Sequence, residues 1–239
     1  MSKALVLLSS NKNEVKKLGL AKNATLLDED VDITFANKDY DYITLINKAP
    51  TTPAEARSIG GEMVTKYKTK VEEIVFNLPR LSDVKEGAAL AGYQFNKYKT
   101  DPKINKLQVE EIGISTGVKF ARDLISEPGN ALYPEEYAHR INETLTPLGV
   151  RVRVIYQTEL ERIGLDLLLS VGLGSEHNSA VVIMEHMNGD EGDAPVALVG
   201  KGVTFDTGGI SLKPGRNMGD MKYDMGGSRR HACNCFTKG

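Results

Sequence analysis

Short apolar segments alternate with polar turns along the first hundred residues of the chain. Residues 3–9, 32–36 and 42–47 are apolar or β-branched and are flanked by Asn, Asp or Lys, a pattern typical of β-strands. Residues 72–78 form a further segment of this kind, which Pro79 closes. We therefore predict four strands in this part of the chain.

Two helical segments are predicted among these strands. Thr51-Thr52-Pro53 supplies a cap and a proline for a first turn, so a helix is predicted over residues 54–70. A second helix is predicted over residues 83–98, with Ala88, Ala89 and Leu90 facing inward. Strands that alternate with helices are typical of the α/β class.

The alternation continues after a polar segment at residues 99–106, where we place a domain boundary. Later helices and strands are predicted on the same grounds. The helices lie over residues 109–125, 134–148 and 158–163, the last with Thr158 as its cap, and the strands lie over residues 150–156 and 180–185. Residues 1–102 are therefore expected to form an amino-terminal α/β domain, and a second α/β region begins at residue 106.

One apolar run is followed by a cluster of charged residues and glycines. Val196-Ala197-Leu198-Val199 is short, wholly apolar and closed by Gly200, which predicts a strand buried on both faces of a parallel sheet. Ligands bind outside the carboxyl ends of such strands, and glycine lets the backbone turn close to a ligand. The segment after Val199 is therefore the candidate functional site.

Four charged side chains lie in this segment, separated by glycines: Lys201, Asp206, Lys213 and Asp224. Two carboxylates and an amine in a turning loop are hard to explain as solvated surface. Oxygen and nitrogen donors suit hard or borderline divalent cations. The sequence therefore predicts a divalent metal site in this loop.

The same segment resembles the leucine aminopeptidase (cytosol aminopeptidase) family of dinuclear metallopeptidases. The resemblance rests on Lys-Gly-Val-Thr-Phe-Asp-Thr-Gly-Gly-Ile-Ser-Leu-Lys at residues 201–213 and Met-Lys-Tyr-Asp-Met-Gly-Gly at residues 221–227. Residues 86–100 and 122–130 extend it, so that it covers residues 54–228. It implies a small non-catalytic amino-terminal domain and, over residues 106–228, the first part of an α/β catalytic domain.

The resemblance also implies a role for each site residue. Asp206 matches a carboxylate that bridges two divalent metal ions, Zn²⁺ or Mn²⁺, and Lys201 and Asp224 match ligands that complete the shell of one of them. A lysine ligates only as the neutral amine. Lys213 matches a cation that is not a ligand and stabilises charge on the substrate carbonyl oxygen. Met221 matches a residue that lines the pocket for the first side chain of the substrate.

The implied activity is the removal of amino-terminal residues, with a leucine-type preference, from peptide substrates. Complete members need a second motif, Asn-Thr-Asp-Ala-Glu-Gly-Arg, which supplies further metal ligands and an Arg that holds a bicarbonate acting as general base. That motif does not occur in these 239 residues, so we expect the chain alone to be inactive. A homo-hexamer is expected of the full-length enzyme. The alternative is a non-catalytic family member that acts as a binding or assembly subunit.

The resemblance is expected to end after Gly227. Residues 229–239 contain His231, Cys233 and Cys235 and are expected to form an aberrant, unstructured tail, produced by an error of reading frame. Two cysteines separated by one residue do not complete a zinc site.

Composition and the remaining motifs exclude other classes. The net charge of -2 and the scattered lysines argue against a nucleic-acid partner. No segment approaches the ~18 apolar residues of a membrane span. The apolar run at residues 4–8 is too short for a signal peptide, so a cytoplasmic protein is expected. Gly113 to Gly117 fits the nucleophile-elbow pattern, but Ser115 falls in a predicted helix and is not expected to be a nucleophile. His139 and His186 are expected to be ordinary residues rather than metal ligands.

Overall fold

The computed structural model describes residues 2–19, 33–101, 105–110, 112–190 and 192–237. Contacts divide the chain into two compact units, Met1–Ser115 and Thr116–Gly239. The predicted boundary falls largely on residues 102–104, which lie outside the described residues. Helices and strands are mixed in both units, so the predicted α/β class is confirmed.

A four-stranded sheet lies at the centre of the first unit. Its strands are β1 (Lys3–Leu8), β2 (Ile33–Phe35), β3 (Tyr42–Ile46) and β4 (Glu73–Asn77), in the spatial order β2-β3-β1-β4. Strand β1 is parallel to both β3 and β4, whereas β2 is antiparallel to β3. The four predicted strands are thus present; residue 32 of the second lies outside the described residues.

Helices cover both faces of this sheet. They are α1 (Lys12–Lys17), α2 (Pro53–Tyr67) and α3 (Leu81–Gly92). Because successive side chains of a strand point to opposite faces, Ala4 and Val6 of β1 pack into a core with α2 and α3, whereas Leu5 and Leu7 pack with Val15 of α1. The first unit therefore has three layers.

The start of α2 agrees with its sequence prediction, whereas the end of α3 does not. Thr52 accepts a hydrogen bond from the amide of Glu55, and the Glu55 carboxylate accepts one from the amide of Thr52. This capping box confirms the predicted start of α2. Helix α3 ends at Gly92 rather than at residue 98, because the backbone becomes extended at Tyr93.

The second unit is built from helices around a two-stranded sheet. Strands β5 (Arg151–Tyr156) and β6 (Ala180–Glu185) pair antiparallel, with Arg151 opposite Glu185. The helices are α4 (Ile114–Ser126), which begins at the end of the first unit, α5 (Pro134–Leu145), α6 (Gln157–Arg162), α7 (Asp166–Gly172) and α8 (Gly226–Asn234). Short 3₁₀ helices cover Thr146–Leu148, Met218–Met225 and Cys235–Thr237. Buried residues of α4, α5, β5 and α8 share one core.

Two local predictions in the second half are wrong, and one helix was missed. Helix α4 begins at Ile114 rather than at residue 109, because Gly113 has a positive φ of 51° that breaks the helical path. Helix α6 has Tyr156 at its amino-terminal cap and no side-chain cap, so Thr158 does not cap it. Helix α7 was not predicted at all.

The apolar run at residues 196–199 is not a strand. Val196 is 85% exposed and Val199 is 94% exposed, and no strand lies beside them in the described part of the chain. The prediction of a strand buried in a parallel sheet is therefore wrong for this structure. An apolar run becomes a buried strand only when neighbouring strands supply its hydrogen-bond partners and cover its faces.

The carboxyl-terminal segment is folded. Helix α8 runs to Asn234, Ala232 is fully buried, and the rings of Phe120 and Phe236 lie 5.5 Å apart. The expectation of an unstructured tail is wrong for residues 229–237, because their apolar side chains pack against α4 and complete the core of the second unit.

Candidate metal centre

The first part of the site is a closed loop from Asp206 to Lys213. Oδ1 of Asp206 accepts a hydrogen bond of 2.8 Å from the amide of Gly208, and the amide of Lys213 donates one of 2.9 Å to the carbonyl of Thr207. Gly208 has φ +100°, and a Cβ at this position would lie 2.5 Å from the carbonyl oxygen of Ser211. Glycine therefore closes the turn that brings Lys213 back to Asp206.

The second part is the 3₁₀ helix Met218–Met225, which carries Met221 and Asp224. The amide of Asp206 donates to the carbonyl of Met221 at 3.4 Å, so the loop is held against this helix. The helix is in turn fixed to the end of α4, because Nζ of Lys222 donates to the carbonyl of Ser126 at 3.2 Å.

The third part is Lys201, which lies beside the amino terminus of α8. Its carbonyl accepts a hydrogen bond of 2.9 Å from the amide of Ser228 in the first turn of that helix. First-turn amides have no partner within their own helix. The backbone of Lys201 therefore satisfies one of them and is fixed in place.

These three parts bring all five predicted site residues together. Nζ of Lys213 lies 2.7 Å from Oδ2 of Asp206 and 3.3 Å from Sδ of Met221. Nζ of Lys201 lies 2.7 Å from Oδ2 of Asp224. The charge of Asp206 also helps to raise the pKa of Lys201, so the two ion pairs are neighbours in one network.

The network shifts the pKa of two of its members. The hydrogen bond from Lys213, and then that from the Gly208 amide, lower the pKa of Asp206 below its ordinary value. The contact with the Asp224 carboxylate, assisted by the charges of Asp224 and Asp206, raises the pKa of Lys201, although desolvation opposes that shift. Without a metal, Asp206 is therefore an anion and Lys201 a cation at neutral pH.

The donor set fits a divalent cation with oxygen and nitrogen ligands. Oδ2 of Asp224 is shielded from solvent and accepts no well-aligned hydrogen bond within the described residues, even though Lys201 lies close to it. A buried acceptor of this kind is suited to a cation. No group of three or more His, Cys, Asp or Glu side chains that could hold a metal is found among the described residues, so Lys201 would have to be the third ligand.

Sequence reasoning missed two residues that organise the site. Tyr137 of α5 is 5% exposed, and its hydroxyl lies 3.0 Å from Oγ of Ser228. Tyr137 resembles any core position of an amphipathic helix, and Ser228 comes directly after the last residue of the matching motif, Gly227. The weaker candidates stay outside the site: the hydroxyl of Ser115 donates to the carbonyl of Ile112, and His139 pairs with Glu143.

Two carboxylates and two lysines clustered in a glycine-rich part of an α/β chain place it in the class of candidate metal-binding proteins. Residues 119–235 match the model of the cytosol aminopeptidase family, catalytic domain. The chain is 39% identical over 216 residues to the probable cytosol aminopeptidase of Rickettsia typhi, and 40% identical over 204 residues to that of Xanthobacter autotrophicus. The chain belongs to the cytosol aminopeptidase family.

The matched region is only part of these relatives. The match to the Rickettsia typhi protein covers 78% of this chain and 43% of the relative, and the match to the Xanthobacter autotrophicus protein covers 74% and 41%. The chain therefore spans less than half the length of the curated relatives it matches. The family match runs to residue 235, so the expectation that the similarity ends after Gly227 is wrong.

Solved structures share the fold. The bottromycin maturation enzyme BotP in complex with Mn is 24% identical and superposes with a TM-score of 0.74, over 99% of this chain and 55% of that one. Leucyl aminopeptidase from Leishmania major in complex with actinonin is 20% identical, with a TM-score of 0.69 over 99% and 54%. No helix in the described ranges is long and apolar enough to cross a membrane.

Proposed function

We propose that this chain contributes half of the active site of a metal-dependent aminopeptidase that removes amino-terminal residues, with a leucine-type preference, from peptides. The observation that supports this most directly is the convergence of Lys201, Asp206, Lys213, Met221 and Asp224 on one network. These are the five positions that match the family motif. The relatives named cytosol aminopeptidase support the same activity and a cytoplasmic location.

The proposed metal ligands are Lys201, Asp206 and Asp224. Two divalent cations, Zn²⁺ or Mn²⁺, would supply an activated water and polarise the scissile carbonyl when bound. The Mn complex of BotP favours Mn²⁺ as the first ion to test. For Lys201 to ligate, its ammonium must lose a proton and move from the ion pair with Asp224.

Lys213 and Met221 are proposed to act on the substrate. The ammonium of Lys213 would donate to the carbonyl oxygen of the scissile bond as negative charge develops there. Its contact with Asp206 holds it in the site until then. Met221 lies beside Lys213, so its flexible thioether is placed to form an apolar wall for the first side chain.

We also propose that residues 1–239 alone do not hydrolyse peptides. Catalytic metal sites use about three protein ligands for each ion. The described residues bring three ligand side chains together, which serves one cation rather than two. A bicarbonate acting as general base and a homo-hexamer are proposed for the complete enzyme.

A non-catalytic role in binding or assembly is the second candidate. The exposed apolar side chains of Val196, Leu198 and Val199 favour it, because such runs pair with other chains. Asp206 and Asp224 are also already paired with lysines in the absence of metal.

One experiment separates these proposals. Residues 1–239 are titrated with Mn²⁺ and with Zn²⁺ by equilibrium dialysis, and hydrolysis of a leucyl amide is measured at each metal concentration. We expect the wild-type chain to bind one cation and the Asp224→Asn variant to bind none. We expect no hydrolysis of the leucyl amide at any metal concentration. Absence of any saturable binding would favour the assembly role, whereas two bound cations with turnover would contradict the proposed inactivity of this chain.

A further inference from the structure

Ser228 makes hydrogen bonds to both sides of the candidate metal centre. Its amide donates to the carbonyl of Lys201 at 2.9 Å, and its hydroxyl donates to the carbonyl of Met225, which follows Asp224, at 3.1 Å. Ser228 therefore links the backbone of Lys201 with the backbone next to Asp224.

The direction of the third hydrogen bond follows from counting protons. The hydroxyl of Ser228 has one proton, and the Met225 carbonyl can only accept. The contact of 3.0 Å between Ser228 Oγ and the Tyr137 hydroxyl therefore has Tyr137 as its donor. Burial raises the pKa of Tyr137 to about 12, which agrees with a protonated, donating hydroxyl. The hydrogen bonds run in series from Tyr137 through Ser228 to Met225.

The backbones around Ser228 approach too closely for side chains. A Cβ on Gly200 would lie 2.7 Å from Cα of Ser228, and a Cβ on Gly227 would lie 3.1 Å from the amide nitrogen of Lys201. The first distance requires glycine, since the neighbouring atom is backbone and cannot rotate away, and the second is tight for any larger residue. The spacing between Lys201 and the first turn of α8 is therefore tightly defined.

We propose that Ser228 is a positioning residue that fixes the spacing of Lys201 and Asp224, and that Tyr137 holds Ser228 in the orientation this requires. A serine hydroxyl that bonds the carbonyl three residues earlier is common in helices. Ser228 differs from such serines in two further hydrogen bonds. Its amide donates to the carbonyl of Lys201, and its hydroxyl accepts from the buried hydroxyl of Tyr137. The relevance of this spacing to metal binding rests on the proposed function.

The test compares Ser228→Ala, Tyr137→Phe and the double variant with two matched controls. Ser170→Ala removes a hydroxyl that donates to the carbonyl of Leu167, also three residues earlier, with no site nearby in sequence. Tyr156→Phe removes the hydroxyl of a tyrosine that is half exposed. Amide hydrogen exchange of residue 228 reports the hold on Lys201, and equilibrium dialysis with Mn²⁺ alone reports the metal site.

We expect Tyr137→Phe and Ser228→Ala each to speed exchange of the amide of residue 228 by about tenfold. We expect Mn²⁺ to bind about tenfold more weakly in both variants, because loss of a residue that orients a metal ligand typically weakens metal binding by this amount. The double variant should match the single ones, because the two hydroxyls act in series. The controls should change neither quantity.

Three other results separate this proposal from the proposed function. Unchanged exchange of residue 228 in Tyr137→Phe would overturn the positioning role, whatever the metal data show. Faster exchange with unchanged Mn²⁺ affinity would also overturn it, because the spacing would then not matter to the ligands. Faster exchange in the variants, together with a wild-type chain that binds no Mn²⁺, would confirm the hold on Lys201 and contradict the proposed metal site.

Discussion

Nζ of Lys213 lies 2.7 Å from Oδ2 of Asp206, and this ion pair occupies the carboxylate oxygen that a metal ion would need. The other oxygen of Asp206 is already held by the amide of Gly208. A cation that enters the site would therefore compete with the ammonium of Lys213 for Asp206. If the ammonium is displaced, it is free to meet a substrate carbonyl, so we expect metal entry and the placement of this lysine to be coupled.

This competition leads to a prediction for Lys213→Met. Loss of the ammonium should strengthen Mn²⁺ binding about two- to fivefold, the value of a partly exposed ion pair. In a complete enzyme the same change should abolish hydrolysis of a leucyl amide. Dialysis and rate measurements check the two effects, with Arg216→Met, an exposed cation of the same loop, as the control. Weaker metal binding in Lys213→Met would show that Lys213 supports the ion instead of competing with it.

Asp206→Asn should have the opposite effect on metal binding. An amide keeps the shape of the side chain but removes the charge, so the affinity for Mn²⁺ should fall by at least about tenfold. Asp220→Asn changes an exposed acid of the neighbouring 3₁₀ helix and should leave affinity unchanged. Equal metal content in wild type and Asp206→Asn would exclude Asp206 as a ligand.

The stability of the second unit should fall in alkaline solution because of Tyr137. Its pKa is raised by burial to about 12 in the folded state from 10.0, so the stabilisation is complete below pH 10 and is lost as the pH rises through the folded value. The free energy of unfolding should fall by up to about 1.4 kcal/mol per pH unit in that window. Urea unfolding of wild type and Tyr137→Phe from pH 9 to 11 measures this. Above pH 10, the free energy of unfolding should fall more steeply with pH in the wild type than in Tyr137→Phe. Equal dependence on pH in the two proteins would contradict the role given to Tyr137.

Gly200→Ala should destabilise the protein, because the added methyl group would clash with helix α8. The added Cβ would lie 2.6 Å from Cδ2 of His231 and 2.7 Å from the amide nitrogen of Ser228. Because the helix cannot retreat without losing its packing, unfolding should become easier by about 1–3 kcal/mol. Gly215→Ala is the control, since no atom lies within 4 Å of its Cβ position. A Gly200→Ala variant as stable as Gly215→Ala would indicate that α8 moves freely.

Short sequence motifs predicted those parts of the structure that depend on residues close together in the sequence. The capping box of Thr52 and Glu55 is complete within four positions, so the start of α2 was predicted correctly. The loop from Asp206 to Lys213 also closes on itself, and its motif indicated that its charged residues belong together. Their convergence with Lys201 and Asp224 was an expectation from family resemblance. The structure pairs Lys201 with Asp224 and places this pair near enough to Asp206 for its charge to raise the pKa of Lys201.

Long-range packing decided what the sequence could not predict. The four residues from Val196 to Val199 have the composition of a buried strand, but no described strand covers them. Tyr137 and Ser228 are 91 positions apart, and no periodicity links an amphipathic helix to a serine in an atypical segment. The carboxyl-terminal helix was missed for a similar reason: its apolar residues are few, and they gain burial from a core whose other members are distant in the sequence.

The exposed run from Val196 to Val199 also bears on the behaviour of the protein in solution. Pro195 precedes it and Lys201 follows Gly200, and a proline and a charge at the ends of an apolar segment limit its association into intermolecular sheets. We therefore expect Lys201 to limit association of the chain as well as lying at the candidate metal centre. A neutral substitution of Lys201 would remove both contributions, so precipitation of such a variant would not be evidence about ligation. Arg at this position would keep the charge, and is the more informative replacement.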